Sequence, residues 1–287
     1  MDGRPMDRRL VVWMVLTMII APVACLSANG AREQRSYLGV RELIVDASFL
    51  DLEIQGTYGA MTEVKPGMLR TNVEVNTERR GDTLVVSVER RTNPFAFGRN
   101  DPLVITVPRE TAVNATTTSG RLSVSEIEGG GVQARTASGS LIADYLSGDI
   151  SLATASGSIH LEESSGLVDI STASGSAHIS VFDGMVEVTT GSGGVEIEDL
   201  VGNITASTTS GSIRVDALRA ESDCSFSSTS GSINVDFLNP PSEFTFDLTS
   251  TSGSLRAFDE RSNRSLRTGT GRITVTGRTV SGSQHYR

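Results

Sequence analysis

Thr154-Ala155-Ser156-Gly157-Ser158-Ile159-His160-Leu161 is a phrase that the chain states nine times, with small changes, between residues 117 and 275. Its clearest echo is Thr208-Thr209-Ser210-Gly211-Ser212-Ile213-Arg214-Val215. The copies are anchored on Gly120, Gly139, Gly157, Gly175, Gly193, Gly211, Gly231, Gly253 and Gly271, spaced 19, 18, 18, 18, 18, 20, 22 and 18 residues apart. Self-similarity at a fixed period of this size marks a solenoid, whose repeats bury their apolar faces only against one another.

The columns of the repeat say which solenoid. Two residues after each glycine stand Leu122, Leu141, Ile159, Ala177, Val195, Ile213, Ile233, Leu255 and Ile273. Four after it stand Val124, Ala143, Leu161, Ile179, Ile197, Val215, Val235, Ala257 and Val275, with mostly polar residues between. Alternation at period two, rich in Ile and Val, is a half-buried strand, and a helical repeat is excluded. A second glycine (Gly148, Gly166, Gly184, Gly202) falls nine residues after the first and opens a second alternating run. Both glycine columns read as corners that need positive φ. The expected fold is therefore all-β: a parallel β-helix with coils of about 18 residues, right-handed because parallel crossovers almost always are.

Before the repeats the chain changes character twice. Residues 1–30 read as a signal peptide: Arg4, Arg8 and Arg9, an apolar run over residues 10–20, then small residues with Ala28 and Gly30 placed for cleavage. That run is short for a membrane span, which needs about 20 residues. Pro22-Val23-Ala24-Cys25 also resembles a lipobox, with Pro22 where Leu is usual, so Cys25 is a candidate lipidation site. Either route predicts export to the periplasm, outer membrane or cell surface. Residues 31–110 read as irregular strands forming the start and cap of the same solenoid, with residues 93–102 as a protruding loop. Residues 111–277 hold the regular repeats, and residues 278–287 read as a polar, frayed tail.

Composition narrows the function. The chain carries 25 basic and 34 acidic residues, an excess that disfavours nucleic acid and anionic membrane surfaces as partners. Any membrane contact would come through a lipid at Cys25 or an uncleaved leader. Cys224, the other cysteine, sits in an alternating run and reads as a small buried residue. The one Trp is in the leader and Tyr numbers four, so no aromatic platform for sugars is expected.

Four columns invite chemistry. Hydroxyl residues stand three before every anchoring glycine (Thr117, Thr136, Thr154, Thr172, Thr190, Thr208, Ser228, Ser250, Thr268) and, as Ser or Thr, one before it. Such ladders suggest an ice-binding face. Parity opposes it, because Thr154 continues the inward row of Ile150 and Leu152 and is placed to satisfy corner backbone. Five after the glycine, Asp144, Glu162, Glu198, Asp216 and Asp236 form an acidic column, interrupted by Ser180, that is a weak candidate for a cation. His160, His178 and Glu196 share another column, read as a solvated face since an open sheet gives no enclosure. No nucleophile elbow, nucleotide loop or paired-Cys motif occurs. No catalytic residue, cofactor or metal is predicted.

The repeated Thr-x-Ser-Gly-Ser phrase follows an aliphatic strand ending in Val-Pro, Leu103-Val104-Ile105-Thr106-Val107-Pro108. Over residues 38–277 this resembles the bacterial "putative-adhesin" family, a β-helical domain of unknown function. The resemblance implies a non-enzymatic, adhesin-like envelope protein that presents repeat faces to a protein or glycan ligand, through side-chain ladders and strand addition at an end. The competing expectation is a β-helical carbohydrate-active lyase or hydrolase.

Overall fold

Alternation forces Ile159 and Leu161 to one side of a strand and His160 to the other. In a computed structural model, which describes residues 34–67, 73–90 and 101–287, the two aliphatic side chains are buried and His160 is half-buried. The expected leader, Cys25 and residues 93–100 of the expected loop lie outside the described residues. Parallel ladders join each copy of the phrase to the next: Leu141 faces Ile159, Ile159 faces Ala177, Ala177 faces Val195, and Val195 faces Ile213. A second ladder runs Val132, Ile150, Val168, Val186, Ile204. The apolar columns of both ladders meet in one continuous core. Among the described residues the only helix is a three-residue 3-10 turn, Pro241–Glu243.

The corners differ from the sequence expectation. Gly139, Gly157, Gly175, Gly193 and Gly211 do not have positive φ. Glycine is required there by stacking: a Cβ on Gly157 would collide with the carbonyl oxygen of Gly139, and one on Gly175 with that of Gly157. In the second column Gly166, Gly184 and Gly202 do combine positive φ (115°, 140° and 133°) with close approach to the neighbouring layer, whereas Gly148, at 110°, has room for a Cβ. Between the two lies a further corner made by Glu126, Tyr145, Glu163, Val181, Asp199 and Ala217, all at positive φ between 45° and 60°. A β-branched residue such as Val181 rarely adopts that conformation. It is held there by ladders on both sides.

The hydroxyl column closes the first corner from inside. Thr117, Thr136, Thr154, Thr172, Thr190 and Thr208 are all buried. The Oγ1 atoms of Thr136, Thr154 and Thr172 accept hydrogen bonds from Gly139, Gly157 and Gly175 backbone N–H groups at 3.1, 3.0 and 2.9 Å. Thr190 Oγ1 instead donates to the Gly193 carbonyl at 2.7 Å. This row is unavailable to an ice surface.

Both ends of the stack are built out of order. Strand Glu42–Asp46 lies between Thr83–Arg90 and Ala112–Thr117, and Leu52–Thr57 between Leu103–Pro108 and Leu122–Ser125. Antiparallel strands Val73–Arg80 and Met61–Pro66 then cover the outermost parallel pair. At the other end, Ile273–Ser281 is inserted between Cys224–Ser230 and Phe244–Ser252. Gln284–Tyr286 lies likewise between Ile233–Phe237 and Leu255–Ala257, and Ser265–Gly269 covers the last layer in antiparallel fashion. Exposed parallel edges recruit other chains, and here antiparallel strands take up the edges of the outermost parallel layers.

Two expectations are thereby corrected. The ninth anchor is Gly282, not Gly271: Thr279 supplies the buried hydroxyl, and a Cβ on Gly282 would strike the Gly231 carbonyl. Residues 278–287 are not a frayed tail, because Gln284 and Tyr286 are both 0% exposed. The Gln284 amide donates to the Thr249 carbonyl at 2.8 Å and to Thr279 Oγ1 at 3.0 Å, while the Tyr286 hydroxyl donates to Gln284 Oε1 at 3.2 Å. The Tyr286 ring packs among Phe226, Phe237 and Phe246. Cys224 is buried as a free thiol.

Candidate functional site

The acidic column is spread out rather than gathered. Asp144 faces Glu162, Ser180 separates Glu162 from Glu198, and Glu198 faces Asp216. A register shift after Val215 displaces Asp236 from its place in the column. Asp216 accepts from Arg214 Nε at 2.7 Å, and Asp236 is held by Arg287. Burial, then the charges of Glu162 and Glu163, raises the Asp144 carboxyl above its ordinary pKa. Among the described residues no three His, Cys, Asp or Glu side chains converge as a metal-binding group. His160 and His178 stack, with centroids 5.0 Å apart and planes at 13°, and His178 Nδ1 lies 3.0 Å from Glu196.

A charged cluster that the sequence does not signal forms where the strand Leu103–Pro108 ends. The Arg109 guanidinium pairs with Glu126 and Glu128 and lies 4.0 Å over the Tyr58 ring. Beside it a depression of about 470 Å³ is bordered by Tyr145 and Glu163. A hydrogen bond to Glu163 raises the Tyr145 phenol pKa and keeps it protonated. These residues come from distant positions, and only the stacking of layers brings them together.

A larger groove, of about 630 Å³, crosses the outer face of the second ladder. It forms because Gly131, at φ 76°, offers no side chain where Asp149, Leu167 and Met185 project from the following layers. Leu167 and Met185 face each other on adjacent strands and are 53% and 49% exposed. Asp149 precedes them in that column, and in the next column out Ser151 faces Asp169, which faces Glu187. Glu42 closes the far end, its carboxylate accepting from the Thr83 hydroxyl at 2.7 Å. No Lys or Arg lines the groove, and Asp149, Asp169 and Glu187 have no ion-pair partner among the described residues. Two like charges side by side on a sheet, next to two uncovered aliphatic side chains, are unfavourable in the isolated molecule. The sequence did carry a sign of this: Leu167 and Met185 are aliphatic where Asp149 and Asn203 stand in the layers on either side.

A match to the family described as Toastrack DUF4097 spans residues 40–284. The chain belongs to the Toastrack DUF4097 family. The match coincides with the stretch whose repeats and Val107-Pro108 strand end carry the family resemblance. No curated protein sequence matches this Toastrack chain. Two solved structures resemble it. One is a "putative cell adhesion protein" from Clostridium sporogenes ATCC 15579, 12% identical, covering 88% of this chain and 98% of that one, with a TM-score of 0.25. The other is a "putative lipid binding protein" from Parabacteroides distasonis ATCC 8503, 15% identical, covering 89% and 97%, with a TM-score of 0.35. Likenesses this distant do not bear on what this Toastrack chain binds.

Proposed function

We propose that this Toastrack chain is an exported, non-enzymatic, adhesin-like binding protein of the bacterial envelope, built as a right-handed β-helix with coils of about eighteen residues. The eighteen-residue offsets of the central ladders, from Ile150 against Val168 to Thr190 against Thr208, support the coil length. The preference of parallel crossovers supports the hand. The arginines and apolar run of residues 1–20 support export, with release near Gly30 or lipid attachment at Cys25 as the two ways of leaving the leader.

The observation that carries the binding role is the groove with its uncovered Leu167 and Met185 and its unpaired carboxylates. Such surfaces are tolerated when something else covers them. A carbohydrate-active enzyme would need a carboxylic acid and a carboxylate free to trade protons across a glycosidic bond. In the Arg109 cluster, Glu126 and Glu128 are instead occupied by a guanidinium.

The test is a mixed array of peptides and glycans, run with a polysaccharide-degradation assay. Ligands retained by the wild-type chain should be lost by a Leu167→Asp/Met185→Asp variant and kept by Ser171→Asp/Thr189→Asp, which alters another part of the same sheet. Retention that ignores the groove variant, or turnover of any polysaccharide, would overturn the reading.

A further inference from the structure

We infer that the groove takes an extended peptide segment of a partner protein, one in which Lys or Arg alternates with aliphatic side chains. The inference rests on the reading of the groove as the binding face and adds the class of ligand.

Length is the first argument. The lining residues come from six stacked strands: Glu42–Asp46, Ala112–Thr117, Val132–Thr136, Ser147–Thr154, Ile159–Thr172 and Ala177–Thr190. Five steps between strands of about 4.8 Å make a trough of roughly 24 Å, the span of about seven extended residues. A compact small molecule would leave most of it empty.

Charge is the second. Glu42, Asp149, Asp169 and Glu187 border the trough, and no basic group does. Asp169 and Glu187 stand in register on neighbouring strands without a counter-charge, so a ligand bearing cations relieves their repulsion as it binds. Nucleic acid and anionic lipid would meet the opposite effect.

The third argument is the apolar shoulder. Leu167 and Met185 offer aliphatic surface, and methionine adapts its shape to differing side chains. No aromatic ring lines the trough, so a sugar has no face to stack on. Backbone groups beneath are already committed to the ladders between layers. The segment is therefore held by its side chains and lies across the strands rather than adding to them.

Calorimetric titration of the protein, expressed from residue 31 onward, compares three heptapeptides: Lys alternating with Val, Lys alternating with Ser, and Glu alternating with Val. The Lys/Val peptide should bind. Its affinity should drop about tenfold in Asp169→Lys/Glu187→Lys, the loss expected from reversing two exposed charge pairs. For the wild type, the affinity should also fall as salt rises from about 50 mM to about 500 mM. Ser151→Trp, which fills the trough and leaves every charge in place, should weaken it as well. Equal binding of the Lys/Ser peptide, binding of the Glu/Val peptide, or indifference to these variants would overturn the inference. So would a groove that takes only a cationic polysaccharide on the array. Array ligands lost by Leu167→Asp/Met185→Asp without any Lys/Val binding would leave the binding face standing and the peptide class refuted.

Discussion

Replacing Gly157 by alanine separates two accounts of why glycine stands at the first corner. If positive φ were the reason, Gly157→Ala would cost about as much as any left-handed alanine, roughly 1–2 kcal/mol. The structure gives a different cause. The added methyl would overlap the Gly139 carbonyl oxygen, a backbone atom that cannot rotate away. To make room the two layers must part. They are tied there by Ser156 N–H to the Ala137 carbonyl at 3.0 Å, Ala155 N–H to Thr136 at 3.2 Å, and Leu141 N–H to Ser158 at 3.0 Å. Ala155 and Ser156 are exposed, so the freed groups can turn to water; losing the three bonds at about 0.5–1.5 kcal/mol each gives an expected cost of about 2–4 kcal/mol. Gly81 is the internal control. It has φ 65° with nothing within 4 Å of a Cβ, and its alanine variant should lose only about 1–2 kcal/mol. Urea unfolding followed by circular dichroism reads both as shifts in midpoint multiplied by the slope. Asparagine sharpens the contrast: it tolerates left-handed φ, so it should be nearly neutral at Gly81 and as damaging as alanine at Gly157. A Gly157→Ala variant no less stable than Gly81→Ala, or rescue of position 157 by asparagine, would refute the close-approach account.

Thr154→Val keeps the shape but leaves the Gly157 N–H without its 3.0 Å acceptor; unfolding should show a loss of about 1–3 kcal/mol, with Thr154→Ser recovering most of it. Tyr286→Ala should cost about 3–5 kcal/mol by emptying an aromatic site in the core. Tyr286→Phe keeps the ring but leaves the buried Gln284 Oε1 without its donor, so denaturant midpoints should show a smaller loss, about 1–3 kcal/mol. Burial raises the Cys224 thiol from 9.0 to about 11, so the folded chain keeps a proton that the unfolded chain releases first. That stabilisation is complete below the unfolded thiol's pKa and is lost as pH climbs through the folded value, a change of roughly 2–3 kcal/mol. Stability measured across this alkaline window should therefore fall more steeply in the wild type than in Cys224→Ala. The native thiol should also resist alkylation near neutral pH until the chain is unfolded.

The central layers were legible because one periodicity governs them. Ile159, Leu161, Ile150 and Leu152 alternate without exception, and the parity that places Thr154 inside follows from the same count. The corners were less so, since a glycine demanded by a neighbouring carbonyl looks in sequence like one demanded by its own φ. Val181 and Ala217 at positive φ leave no trace at all, because the ladders on either side impose a conformation their side chains do not favour. The Gly282 copy was hidden by its inward residues, Gln284 and Tyr286, where other copies carry aliphatic side chains; their polar atoms bond to Thr249, Thr279 and each other. The groove and the Arg109 cluster join side chains from several layers, and a reading confined to one repeat does not reveal them.

The inserted layer at one end of the stack sets a problem of order in time. A chain supplied from its N-terminus delivers residues 244–257 before residues 273–286, yet the later segment belongs nearer the centre. Both carry a Ser-Gly-Ser corner, Ser252-Gly253-Ser254 and Ser281-Gly282-Ser283, so the earlier arrival can dock where the later one must go. Correct assembly then waits on reopening a premature pairing. The slow step in forming this protein is accordingly expected at its far edge, after most of the molecule is already native.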